Sequence, residues 1–343
     1  MKSLIVPILA LCLFSTASFG NENVRWVLEP PGPASAAAAD GDSEQAIPGR
    51  ILETNQLTPS DIEAFGTGGH PFTTSQVSVA DGITPADRPP FNATGKLFMV
   101  FDGKRYVCTA SVIGRSLLVT AAHCVHRFGQ REKGFASRLS FEPARHRDSK
   151  PFGGWTATEV WIPKSYFDGT DPCTDERRKV VCENDLALVV LKENSGQGVG
   201  DVVARYALPA MDDFGFVRFA SNPSAQFTQL GYPSENFDGL AMVRTDSIGI
   251  QQDPNTVVIG SNQTGGSSGG PWLQNFGTKT SHFGTAPTDG QFNVVTAVTS
   301  WGFQTDTVKV QGASRFSRNS VYTKKSNIRS LHDEVCAAHP TAC

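Results

Sequence analysis

The chain has 343 residues, 39% of them hydrophobic and 18% charged, with 33 glycines, 21 prolines and a formal net charge of −3. That length holds a sizeable core, and the glycine and proline content suits a turn-rich β protein of one to three units. The weak charge argues against a nucleic-acid binder, which needs a concentrated basic face.

Lys2 and the mainly apolar run at residues 4–14, followed by small residues, read as a secretory signal peptide, residues 1–20, cut near Gly20 or Ala17. The run is too short to span a bilayer and no later stretch is long and apolar enough, so the mature protein is expected to be soluble, exported (extracellular or periplasmic) and free of membrane contact. A lipoprotein reading through Cys12 is disfavoured because Leu11 stands where a small residue belongs. Residues 21–75 differ in texture: Pro30, Pro31 and Pro33, alanines at 36–39, then Asp40-Gly41-Asp42. They read as a prosegment or linker with little core of its own. Within it one short helix is expected, capped by Thr58, opened by Pro59, with Ile62 and Phe65 on one face. Eight acidic and two basic side chains give this leader −6, against +2 for residues 76–343. Opposite charge helps such a leader dock, within the limits of salt screening.

From Lys96 onward apolar and β-branched runs alternate with turns, at 97–101, 106–113, 117–120, 156–162 and 186–191, then at 226–231, 256–259, 293–298 and 321–323. The pattern is all-β and fits a sandwich or barrels. Ile328, Leu331 and Val335 give a helical stripe near the C-terminus. Once Cys12 leaves with the signal, Cys108, Cys124, Cys173, Cys182, Cys336 and Cys343 remain, an even count that favours disulfides in an exported chain. Six cysteines permit about fifteen pairings. No Cys or His residues take the paired C-x2-C or H-x3-H spacing of a zinc site, so no metal is expected. Asn92-Ala93-Thr94 and Asn262-Gln263-Thr264 match the N-glycosylation sequon, whose use depends on the host.

The chemistry is carried by Thr120-Ala121-Ala122-His123-Cys124 and Gly266-Ser267-Ser268-Gly269-Gly270-Pro271. Serine is a poor nucleophile alone; it needs a base within hydrogen-bond reach and N–H donors aimed at the developing oxyanion. Glycines around Ser268 allow that tight backbone. A buried carboxylate must orient the imidazole, and Asp185, leading the apolar run 186–191, suits the part. Asp171, Asp175 and Asp201 compete for it, but their Gly-rich or charged surroundings read as solvated loops. His126 opens a polar stretch and reads as surface.

With these motifs in the order His, Asp, Ser, the chain resembles the trypsin/chymotrypsin-like serine endopeptidases over about residues 76–343. Thr299-Ser300-Trp301-Gly302 resembles the segment that hydrogen-bonds an extended substrate, Val160-Trp161-Ile162-Pro163 the strand before the aspartate, and Ser320-Val321-Tyr322-Thr323 the last strand. The resemblance implies two antiparallel six-stranded β-barrels, at about residues 95–200 and 205–325, a crossover near 193–212 and a short C-terminal helix at about 326–338. The active site would lie in the cleft between the barrels. Ser268 would be the nucleophile, His123 the acid–base, Asp185 its orienting carboxylate, Ser300 a brace for Asp185, and the N–H groups of Gly266 and Ser268 the oxyanion hole. The resemblance selects a Cys108–Cys124 disulfide; Cys173–Cys182 and Cys336–Cys343 follow by proximity, and the bridge many members carry beside the specificity pocket is absent. It implies a secreted, monomeric serine endopeptidase acting on proteins or peptides without a cofactor, made as a zymogen with its own prosegment. The alternative is a catalytically silent homologue that serves as a binding module. An α/β-hydrolase is excluded by order, because there the serine precedes the acid and the histidine.

Three departures bear on specificity. Ser267 replaces the Asp that in many members holds a newly freed N-terminus, so activation by that salt bridge is not available. A neutral residue there, with Pro89-Pro90-Phe91-Asn92-Ala93-Thr94-Gly95-Lys96-Leu97, resembles the glutamyl-endopeptidase branch, yet Thr299 stands where that branch reads glutamate with a histidine. By offset from Ser268, the resemblance puts Asn262 at the pocket floor, or Gln263 or Thr264 if the offset slips by one or two residues, with Ser300, Trp301 and Gly302 along the substrate and Ser320 on the pocket wall. The pocket holds no anion for Lys or Arg, so cleavage after basic residues is disfavoured. Arg315 or Arg318 would favour an acidic side chain if turned inward.

Overall fold

Strands whose inward positions are apolar or small close each half of the chain into a ring. The computed structural model describes residues 17–19, 22–30, 45–46, 50–52, 70–77, 85–172, 182–219, 222–253, 255–278, 291–303 and 309–343. The first barrel comprises β1 (Thr94–Phe101), β2 (Lys104–Val112), β3 (Leu117–Thr120), β4 (Arg138–Pro143), β5 (Trp155–Pro163) and β6 (Ala187–Leu191). They pair antiparallel in the order β5-β6-β3-β2-β1-β4, and β4 returns to β5. The second comprises β7 (Asn222–Gly231), β8 (Val243–Asp253), β9 (Thr256–Gly260), β10 (Pro271–Gln274), β11 (Val294–Phe303) and β12 (Val310–Arg315). Its order is β7-β10-β11-β12-β9-β8, closed by β8 on β7. Two closed six-stranded antiparallel barrels and a short C-terminal helix are therefore the architecture.

Burial explains the patterns. All five residues of β6 are buried, because the barrel interior lies on one side and the helix Asn327–Ala338 packs over β5 and β6 on the other. The helical stripe Ile328, Leu331 and Val335 is fully buried in the first barrel's cluster. In the second barrel Phe227, Val257, Ile259 and Trp272 form a separate cluster. Strand β8 escaped the apolar pattern because its inward layer is Thr245, Ser247 and Gly249, small groups opposite a large one: a Cβ on Gly249 would sit 2.5 Å from the Phe227 ring. Residues 321–323 are not a strand; β12 is the last one, its polar sequence hidden by pairing with β11 and β9. The crossover between barrels is tied to both, through Tyr206 N–H to Val112 O at 2.8 Å and Ala207 N–H to Asn293 O at 3.0 Å.

The leader is more deeply built in than its composition suggests. Asn23–Val27 adds a strand to β5, and Ala17–Phe19, at the end of the expected signal segment rather than in the leader, pairs with it in turn. Val24 is fully buried, and a fully buried valine contributes about 1.5–3 kcal/mol. Asn23 Nδ2 donates to Glu334 at 2.8 Å, Tyr322 Oη donates to Asn23 Oδ1 at 2.7 Å, and Arg25 grips Glu159 with two nitrogens. At the other end Phe72–Gln76 pairs with β8, and Val77 is buried. The helix expected around Thr58 lies outside the described residues. Asn92 is buried, donating to Asp87 O and accepting from Ala204 N–H, so its sequon is not free for a glycan.

Candidate active site

Each expected catalytic side chain sits where a strand ends at the cleft. β3 runs into the one-turn 3-10 helix Ala122–Cys124, and the disulfide from Cys124 to Cys108 in β2 clamps that turn. Closing a loop of 16 residues contributes about 3 kcal/mol by chain entropy. Asp185 immediately precedes the run into β6, and its N–H donates to Ser314 Oγ of β12 at 3.2 Å. Ser268 lies in the loop from β9 to β10, pinned by Gly269 N–H to Thr299 O at 2.8 Å and Thr299 N–H to Gly270 O at 2.9 Å.

His123 and Asp185 are joined twice: the His123 N–H donates to Oδ1 at 2.8 Å and Nδ1 meets Oδ2 at 2.7 Å. Ser300 Oγ donates to the same Oδ2 at 2.6 Å. Burial opposes ionisation of Asp185, but the adjacent His123 and the hydrogen bonds from His123 and Ser300 outweigh it and hold its carboxyl below the ordinary range. An ionised acceptor at Nδ1 fixes the proton there and leaves a lone pair on Nε2. That Nε2 is buried and without a hydrogen-bond partner among the described residues; no hydrogen bond joins it to Ser268 Oγ.

The nucleophile loop is stapled from the first barrel by Thr109, which the sequence did not single out. Its Oγ1 donates to Gly266 O at 2.8 Å and accepts from Tyr232 N–H at 3.1 Å, and its N–H donates to Ser268 O at 2.8 Å. Gly266 has φ 95°, and a Cβ there would lie 2.4 Å from Tyr232 O. The N–H groups of Gly266 and Ser268 have no acceptor among the described residues.

Around the expected pocket the structure both agrees and corrects. Ser267 donates to Thr264 O at 2.6 Å and accepts from Gln311, so an amide holds the position where a salt bridge is absent. Ser320 does not stand opposite Gly302: its Oγ donates to Glu183, two residues before Asp185, and the residue paired with Gly302 is Gln311. Gln311 is buried, donates to Gln263 O at 2.6 Å, and accepts from Gln229, which also donates to Thr299 Oγ1. Asn262 accepts from Asn236 through its backbone and keeps a buried Oδ1 without a partner. Neither arginine supplies a pocket cation. Arg315 is buried over Phe216 and bonded to Gln251, Asp212 and Asp213, while Arg318 pairs with Asp212.

Gly312 was also missed. It pairs with Trp301, and a Cβ on it would lie 1.9 Å from the indole. Gly312→Ala is expected to push Trp301 out of line and raise KM for peptide substrates about tenfold or more, by about 1.4 kcal/mol of uniform binding. Steady-state kinetics with an extended and a truncated peptide checks this, since only the extended one should suffer.

Two polar residues read as surface are buried. His126 packs against Phe135 and Phe167, its Nε2 bonds Arg131 O at 2.7 Å, and burial pushes its pKa down to about 4. Asp171 accepts from Ser165 Oγ and from Asn184 N–H and Nδ2, which fixes the residue before Asp185. Burial raises its pKa to about 6. A carboxyl more basic folded than unfolded gives stability that is complete below about pH 4 and fades as pH rises through about 6. Urea unfolding of Asp171→Asn beside the parent at pH 4 and pH 7 is expected to show the difference shifting in the variant's favour, by on the order of 3 kcal/mol. Asp201 is exposed and paired with Arg115 and Arg205, as a loop carboxylate should be, and Asp175 lies outside the described residues. Cys336–Cys343 is formed and Cys182 is disulfide-bonded, while Cys173, its expected partner, lies outside the described residues.

Paired six-stranded barrels, with histidine and aspartate on one and a glycine-bound serine loop on the other, define the chymotrypsin-like class. The family model described as Trypsin matches residues 86–322, and the chain belongs to the trypsin family, a family of serine endopeptidases. Among solved structures the chain is similar to the protease Anisep from Arthrobacter nicotinovorans (TM-score 0.53, 24% identity, 72% of this chain and 96% of that one). It is similar to the thermostable serine protease AL20 from an extremophilic microorganism (0.51, 25%, 70% and 97%). A Glu endopeptidase in complex with MPD shares the fold (0.51, 14%, 77% and 96%). A curated relative named extracellular metalloprotease, from Bacillus subtilis (strain 168), is 29% identical over 152 residues, 44% of this chain and 42% of that protein's length. The two His/Cys groups among the described residues, at His123 and at His332, draw their cysteines from disulfides, so neither offers a metal a thiolate. Among the described residues no helix is long and apolar enough to cross a membrane.

Proposed function

We propose that this chain is an exported serine endopeptidase that cuts proteins or peptides through an acyl-enzyme on Ser268. The observation that carries the reading is the hydrogen-bonded set His123, Asp185 and Ser300, with a buried, unpartnered Nε2 on the histidine. Ser268 Oγ attacks the scissile carbonyl while its proton passes to His123 Nε2. The N–H groups of Gly266 and Ser268 receive the oxyanion, and Asp185 balances the imidazolium. His123 then protonates the departing amine, and water reverses the sequence on the ester. No cofactor is needed for these steps.

Cleavage after Lys or Arg is not expected. The buried side chain of Gln311, facing Gly302 and tied to Gln263 and Ser267, supports a shallow neutral pocket for short uncharged side chains. Residues 1–20 are the export signal, and the leader between its two anchored strands is the prosegment. N-terminal sequencing of the active protein should then give two starts, one near Asn21 and one between residues 31 and 69. A single start at Asn21 would refute the prosegment.

A binding homologue without activity is the rival, and the missing bond between His123 and Ser268 favours it. Such bonds commonly tighten only on substrate binding. Labelling by a fluorophosphonate that disappears in Ser268→Ala separates the two, and peptide-library cleavage read by mass spectrometry then tests the pocket.

A further inference from the structure

The leader touches the cleft at two places, and their direction is informative. Gln45–Ala46 pairs in parallel with β2, Gln45 opposite Tyr106 and Ala46 opposite Val107. Arg50–Leu52 pairs in parallel with β11, Arg50 opposite Trp301, Ile51 opposite Gly302 and Leu52 opposite Phe303. The first contact lies beside Cys108, which is bonded to the neighbour of His123; the second lies on the strand that carries Ser300. Only three residues separate them, a reach of at most about 14 Å.

A productive substrate has a fixed polarity here. The acyl half must reach Ser268 along β11 toward Ser300, the end of that segment bonded to Asp185, and so lies antiparallel to β11. The leaving amine takes its proton from His123, so the chain after the cut bond departs along the wall of His123, Cys124 and Cys108. Substrate therefore runs from the β11 wall to the β2 wall. The leader runs from the β2 wall to the β11 wall.

We infer that the leader threads the substrate groove backwards and acts as an intramolecular inhibitor that its own catalytic centre does not cut. A reversed peptide sends its leaving amine toward β11, away from the imidazolium proton. The polarity follows from the anchors: Asn23–Val27 belongs to the first barrel and Phe72–Gln76 to the second, so the chain between them passes from first to second. Anchorage at both ends makes occupancy intramolecular and hence effective even with few contacts. This rests on the reading of Ser268 and His123 as nucleophile and base.

The test uses the full chain. In Ser268→Ala, benzoylphenylalanine in place of Ala46 is expected to photocrosslink to residues around Val107, and in place of Leu52 to residues around Phe303. Crosslinks with the two walls exchanged, or to neither wall, overturn the threading. With Ser268 intact, Ile51→Pro removes a backbone N–H and is expected to raise hydrolysis of a quenched peptide mixture by about tenfold or more. An unchanged rate, with Ser268 still labelled by fluorophosphonate, overturns the inhibition and leaves the endopeptidase standing. No labelling of Ser268 in the Ile51→Pro chain overturns the endopeptidase reading, and the crosslinks still decide the threading.

Discussion

Asp185→Asn is expected to lower kcat by about 10⁴-fold while KM stays nearly unchanged. The carboxylate accepts from three directions: the His123 N–H, His123 Nδ1 and Ser300 Oγ. An amide in its place has one acceptor atom for three donors, so either a donor is orphaned or the imidazole takes the other tautomer and closes Nε2 to the serine proton. The charge that balances the imidazolium is lost as well. Ser300→Ala removes one charge-assisted bond and leaves the carboxylate in place, so about a tenfold loss in kcat is expected, at the low end of about 1.5–3 kcal/mol for such bonds. Ser268→Ala should reduce turnover at least as far as Asp185→Asn, and combining the two should add little, because the groups act as one unit. Turnover of a quenched peptide, with folded protein counted by circular dichroism, distinguishes this from unfolding. Independent, additive losses would mean that the set does not work as a triad.

What was legible in the sequence was whatever two or three adjacent residues impose. Histidine beside a half-cystine, serine among glycines, and a carboxylate leading five buried strand residues each declare a local environment, and the order of the three restricts the topology. Features built between distant strands were not legible. Gln311 and Gly312 stand in an unremarkable Val-Gln-Gly-Ala-Ser-Arg run, and only the pairing of β12 with β11 puts one against Gly302 and the other under Trp301. Offset counting therefore gave their place to Ser320. Asp171 and His126 were misread for the same reason, since a polar residue in a polar stretch is buried only when partners such as Asn184 or Phe135 arrive from elsewhere. The leader illustrates the point at larger scale: Asn23-Val24-Arg25-Trp26-Val27 looks too short to matter, yet β5 offers it an edge and Glu159 a counter-charge.

The oxyanion donors give the second large effect. Gly266→Ala is expected to lower kcat by about 10²–10³-fold, with KM changed far less, because donors at that position act on charge that exists only in the transition state. Two independent constraints demand glycine: φ of 95°, and a Cβ position 2.4 Å from Tyr232 O, a backbone atom that cannot swing aside. Relief requires φ and ψ at residue 266 to change, which displaces the two flanking peptides and so weakens the Thr109 Oγ1 bond to Gly266 O and shifts the N–H from its aim. Gly277 is the control, since its φ of 81° carries the same backbone strain while nothing lies within 4 Å of its Cβ position. Gly277→Ala should therefore cost about 1–2 kcal/mol of stability and leave kcat intact. Thr109→Val, which keeps the shape and removes the hydroxyl, should move kcat in the same direction as Gly266→Ala but by less, because the glycine keeps its freedom. If Gly266→Ala instead lowers the melting temperature as Gly277→Ala does and spares kcat, the N–H of Gly266 is not an oxyanion donor.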